Sequence, residues 1–71
     1  MPSPVRFAEV KRLLESHGWT LSRIASLHHI FTKPGEPFHF SIPVYKGMVL
    51  HGYLRDIKKR LGISSKGSGA D

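Results

Sequence analysis

The sequence predicts an α+β domain of order α-β-β-β-α, a three-stranded antiparallel sheet with two helices on one face. Three observations carry that expectation. Apolar residues recur at helical spacing near both ends of the chain: Phe7, Val10, Leu13 and Leu14 in one segment, Leu54, Ile57 and Leu61 in the other. Between them lies a stretch rich in β-branched and aromatic residues, broken by Pro34-Gly35-Glu36-Pro37. Strands joined by such short links form a meander, and the helices must cover one of its faces to make a core. The other face can stay open to solvent or a partner.

Each element has its own signals. Ser3-Pro4 is expected to open the first helix, because serine caps orphan N–H groups and proline is tolerated at the first helical position. Lys11, Arg12 and Glu15 take its outer face, and Gly18 stops it with a left-handed residue. Trp19–Ile24 alternates as a first strand, with Trp19 packing inward, and Ala25-Ser26 is read as the turn after it. The second strand is placed at Leu27–Lys33 and the third at Phe38–Ile42, with Pro43 ending it. If the Pro34–Pro37 turn takes four residues, Phe31 and Phe40 face each other across the ladder, in a core expected to include Leu27, Phe38 and Ile42. Residues from Val44 to His51 show no regular pattern. The closing helix starts near Gly52 and stops at Gly62, carrying Arg55, Lys58, Lys59 and Arg60. The single domain is expected over residues 1–63, with 64–71, rich in serine and glycine, as a disordered tail. This arrangement is that of double-stranded-RNA-binding domains, although fold alone does not fix function.

Composition narrows the function classes. With 71 residues there is room for one small core. Cysteine is absent, which removes disulfides and thiolate metal sites. Every apolar run is broken by Lys, His or Pro within a few residues, so neither a spanning helix nor a signal peptide is expected. The expectation is a soluble cytoplasmic protein. Eleven Lys plus Arg against five Asp plus Glu give a net charge of +6, which favours a polyanionic partner, nucleic acid or an acidic protein. A basic surface can also simply confer solubility.

Histidine supplies the reactive chemistry, since its unperturbed pKa of about 6.5 lets it exchange protons near neutrality. Strand alternation sends His28 and His29 to opposite faces. His29, sharing a side with Leu27 and Phe31, is expected to meet the core or a helix. Adjacent histidines on a strand do not easily chelate one metal, so no metal site and no cofactor is expected. His39, on the face of Ser41, is an outside candidate for a second proton-transfer group.

Several segments resemble HicA-type toxins: Gly18-Trp19 after the helix, Arg23, a histidine early in the next strand, Ile42-Pro43-Val44, and Gly52-Tyr53-Leu54-Arg55-Asp56-Ile57 leading to Leu61-Gly62-Ile63. The resemblance covers about residues 5 to 63. It implies a double-stranded-RNA-binding-like fold, a metal-independent endoribonuclease that cuts messenger RNA, and a HicB antitoxin that holds it inactive. It also implies one essential histidine within Gly-Ser-His at the start of the second strand. Here that triplet is Ser26-Leu27-His28, so the role falls on His28. Two departures have physical content. Leu27 lacks a hydroxyl that could touch phosphate and Ser26 lacks glycine's freedom at positive φ; Tyr45 stands where the family often has histidine after Pro-Val.

His28 can act as general base on a ribose 2′-hydroxyl or as general acid on the leaving 5′-oxygen. Arg23 becomes its cross-strand neighbour if Ala25-Ser26 is a two-residue turn, and could then hold a phosphate. Lys33, Lys46, Arg55, Lys58 and Lys59 are candidate RNA contacts. A non-catalytic RNA-binding module, an inactive toxin homologue and a domain docking an acidic protein are the competing readings.

Overall fold

A computed structural model describes residues 3–63; the expected tail at 64–71 lies outside the described residues. In chain order the elements are β1 (Val5–Arg6), α1 (Phe7–Ser16), β2 (Thr20–Ala25), β3 (His28–Thr32), β4 (Phe40–Pro43), β5 (Met48–Val49) and α2 (His51–Leu61). The expected α+β arrangement is present: β2, β3 and β4 form a three-stranded antiparallel sheet in that order, with the two helices. To it is added a two-stranded sheet of β1 and β5.

That small sheet corrects the reading of both flanks. The first helix does not open at Ser3-Pro4; it starts at Phe7, behind an extended Arg6 with no side-chain cap. Val5 pairs with Val49 and Arg6 with Met48, and the Phe7 N–H donates to the Gly47 carbonyl at 2.9 Å. One orphan donor of the helix start is therefore met by a distant turn, and tertiary pairing replaces local capping. The apparently irregular segment after Val44 holds that turn. Tyr45 and Met48 exchange both backbone hydrogen bonds, at 3.0 and 2.9 Å, around Lys46 (φ 53°) and Gly47 (φ 76°). Positive φ at both central residues is the pattern of a type I′ hairpin turn.

Both helices stop where expected. At α1 the Trp19 N–H reaches the Leu14 carbonyl and the Gly18 N–H the Glu15 carbonyl. At α2 the Ile63 N–H reaches Lys58 and the Gly62 N–H Lys59, with Gly62 left-handed at φ 79°. Each is a Schellman pattern, which needs the glycine and recovers carbonyls the helix leaves free.

The core lies between the helices and one face of the larger sheet. Val10 and Leu14 of α1 and Ile57 of α2 meet Phe31, Phe40 and Ile42 of the sheet, joined by Trp19, Val44 and Val49. Phe31 is fully buried and pairs with Leu21 on one side and Phe40 on the other, the register expected from a four-residue turn. The ladder itself opens after Phe40, so Phe38 and His39 precede β4 rather than belong to it. Trp19 packs edge-on to Phe40 at 4.7 Å between ring centroids. Leu27 and Phe38 are corrections: Leu27 is 49% exposed at a turn, and Phe38 is at the rim, where the Arg60 guanidinium stacks 3.9 Å from its ring centroid. Among the described residues no helix is long and apolar enough to cross a membrane.

Phe31 is the largest side chain held with no exposure. Phe31→Ala should cost about 3–5 kcal/mol, comparable to all the stability one small core supplies. The expected outcome is loss of a cooperative thermal transition in circular dichroism; a transition retained within a few degrees would contradict this packing.

Candidate functional site

The site begins with the alternation of β3. Because Phe31 and His29 point towards the helices, His28, Ile30 and Thr32 point away. His29 meets the Phe7 ring of α1, with centroids 4.5 Å apart, and its Nδ1 lies 3.3 Å from the Leu27 carbonyl. It is thus the helix-contacting histidine expected from the pattern. His28 is exposed at the first position of β3, on the sheet face the helices leave open. Its cross-strand partners are Ala25 on β2 and Pro43 on β4.

The β2–β3 turn differs from expectation by one residue. Ala25 pairs with His28, so the two-residue turn is Ser26-Leu27, not Ala25-Ser26. Ser26 takes φ 58° while Leu27 is not in the left-handed region; positive φ at the first central position alone is the type II′ pattern, which favours glycine there. The serine that replaces the glycine of the resembled motif therefore sits where glycine's freedom is needed. The Leu27 carbonyl accepts a 2.8 Å hydrogen bond from the Val44 N–H, tying the turn to the end of β4.

Arg23 is consequently opposite Ile30, not His28. It still shares the open face. The register breaks between Leu21 and Arg23, and the extra residue, Ser22, turns Arg23 away from the buried side that Leu21 occupies. Arg23 is then the diagonal neighbour of His28, at a spacing of roughly 7–8 Å that long side chains bridge. Both are exposed.

The remaining candidates are dispersed. Lys33 and His39 belong to the far end of the sheet, beyond the Phe31–Phe40 pair, roughly 13 Å of strand from His28. The Lys33 stem lies against Gly18. Arg55, Lys58 and Lys59 are on α2, in the helix layer; Arg55 and Lys59 are exposed and Lys58 is half-buried. Lys46 is exposed at the tip of the β4–β5 turn, its Nζ 5.5 Å from the centroid of the Tyr45 ring. Only Arg23 among the named cations shares the strand face of His28.

Sequence reasoning missed an apolar groove beside this face. Pro43, the partner of His28, forms one wall, and Tyr45, Met48, Leu50 and Tyr53 form others. No local pattern signals it, because these residues are assembled by the β4–β5 turn and the start of α2.

A family model described as the HicA toxin of bacterial toxin-antitoxin matches residues 7–63. No curated protein and no solved structure matches the chain.

Ser26 gives this region a direct stability test. A left-handed conformation costs a non-glycine residue roughly 1–2 kcal/mol, partly offset by the entropy glycine loses on folding. Ser26→Gly should therefore stabilise the domain by about 0.5–1 kcal/mol and raise Tm by a few degrees. An unchanged or lower Tm would mean that Ser26 bears no strain.

Proposed function

This chain belongs to the HicA toxin family of bacterial toxin–antitoxin systems, and from that premise we propose that it is a metal-independent endoribonuclease cutting messenger RNA, with His28 as its proton-transfer residue. The observation that carries this reading is the exposure of His28 at the start of β3 on the open sheet face, with Arg23 diagonal to it. A strand is a rigid support, and an open face lets an RNA backbone approach both side chains together.

The chemistry requires nothing beyond the chain and the RNA. The imidazole of His28 takes the proton of a ribose 2′-hydroxyl as that oxygen attacks the adjacent phosphorus. An O2′–P bond forms, the P–O5′ bond breaks, and the products are a 2′,3′-cyclic phosphate and a 5′-hydroxyl end, the leaving oxygen taking its proton from water. The same imidazole, charged, could instead give the proton to that 5′-oxygen. Arg23 holds the phosphate and stabilises the charge developing on its oxygens. Lys46 and Arg55 contact the flanking backbone, with Lys33, Lys58 and Lys59 as more distant contributors. Such contacts make binding salt-dependent.

A HicB-like antitoxin is the protein partner this reading implies, and an acidic character would complement the net charge of +6. A non-cleaving RNA-binding protein, or an inactive toxin homologue, is favoured by one observation. Among the described residues the open strand face carries, besides His28, Thr20, Arg23, Ala25, Ile30, Thr32, Ser41 and Pro43, none a second proton-transfer group.

Incubation of the protein with labelled RNA in EDTA separates the two readings. Cutting is expected, with His28→Ala lowering the rate about 10²–10⁴-fold and leaving RNA retention intact. RNA that is retained but never cut, by either protein, would sink the nuclease reading. Arg23→Ala should lower the rate as well, whereas a rate unmoved by it would remove Arg23 from the site.

A further inference from the structure

The groove beside His28 has an occupant that its chemistry selects. It has a volume of about 520 Å³, inside the roughly 300–1,000 Å³ range of small-molecule sites. Its walls include Pro43, Tyr45, Met48, Leu50 and Tyr53, and among the described residues the only charged one lining it is Lys46. Tyr45 and Leu50 are each 64% exposed and Tyr53 39%. A small domain rarely leaves aromatic surface of this kind clustered in one concavity without use. Neither tyrosine hydroxyl has a hydrogen-bond partner among the described side chains, so neither ring is pinned by a bond at its polar end.

Three features point to a nucleobase. The two tyrosines offer aromatic faces, on which an unpaired base of any sequence can stack. Lys46 places its ammonium 5.5 Å from the centroid of one of those rings, so a ligand lying on Tyr45 meets a cation suited to its phosphate. In the adjoining depression Arg55 stands beside Tyr53 together with Asp56, so that side adds no net positive charge. Among the described residues the groove itself has no carboxylate to repel an anion. Its position completes the case: Pro43 is at once the cross-strand partner of His28 and a wall of the groove. The groove therefore adjoins the strand position of His28.

We propose that the groove between Tyr45 and Tyr53 holds the unpaired base of a nucleotide flanking the scissile phosphate, with Lys46 on that nucleotide's backbone. The placement next to a scissile bond rests on the nuclease reading; stacking of a single-stranded base does not. Single-stranded RNA is then the required substrate form, because a base held in a duplex cannot enter. Tyr45 becomes a determinant of how tightly this chain holds its RNA.

The test uses the full chain with His28→Ala, which keeps the RNA whole, and short single-stranded RNAs carrying 2-aminopurine at successive positions. Binding should quench the probe at one position. Tyr45→Ala and Tyr53→Leu should abolish that quenching and weaken binding about fivefold or more, while Tyr45→Phe, which keeps the ring, should preserve both. Circular dichroism checks that each variant is folded. Affinity and quenching unmoved by the two disruptive substitutions would overturn the proposal even if the parent chain cuts RNA. It would fall equally if those substitutions weakened antitoxin binding alone, since the groove would then be a protein-docking surface. Absence of RNA binding by the His28→Ala chain with both tyrosines intact would remove both the groove and the nuclease readings. Quenching that depends on the tyrosines, in a chain whose parent never cuts, would support the base site and sink only the nuclease.

Discussion

The structure depends on one constraint, the inward placement of Phe31 at the centre of the sheet. Its ring has no exposure, and it is held between Leu21 on β2 and Phe40 on β4. Strand side chains alternate, so a buried Phe31 leaves no choice for its neighbours. His29 must face the helices, where it meets Phe7, and His28 must face away. A register slip of one residue would bury His28 and expose the phenylalanine. The same interaction that supplies the core therefore presents the candidate reactive group, and packing and function cannot be varied independently along β3.

A second layer of constraint sits in the backbone at the ends of the sheet. The Ser26-Leu27 turn is held by Ala25 pairing with His28 and by the Leu27 carbonyl bonded to Val44. Its φ of 58° at Ser26 is tolerated because those contacts over-determine it. On β2 the extra residue near Ser22 reorients Arg23, and without it Arg23 would share the buried side of Leu21. Irregularities of this kind commonly re-aim side chains near functional sites. Here the bulge keeps a cation on the same face as the histidine although the direct pairing expected of them does not form.

Much of the fold was legible because the signals were local. Gly18 and Gly62 mark helix ends that only a left-handed residue closes well, and both helices stop there. The Phe31–Phe40 register follows from the length of the Pro34–Pro37 turn, and the helix-facing role of His29 from strand alternation; Trp19, next to the helix-ending glycine, is in the core as expected. What was not legible depends on distant partners. The start of α1 is set by pairing with Met48 and Val49 and by the Gly47 carbonyl, forty or more residues on, which no capping rule at Ser3-Pro4 can register. Ser26 is a weak turn signal that fits Ala25-Ser26 and Ser26-Leu27 equally, so the sequence does not fix the register, nor with it the partner of Arg23. The apolar groove is assembled from β4, a tight turn and α2, and its residues look unremarkable in sequence.

The attack by a ribose 2′-hydroxyl proposed for this chain rests on its family membership, on the outward placement of His28 and on the cation beside it. That step is tested most directly by replacing one nucleotide at a mapped cleavage position with its 2′-deoxy counterpart, leaving the rest of the RNA unchanged. The account predicts that the chain no longer cuts there, and that the unmodified RNA yields a 2′,3′-cyclic phosphate end. Equal cutting of the deoxy-substituted RNA would contradict it, because the oxygen from which His28 is proposed to take a proton would have no part in the reaction.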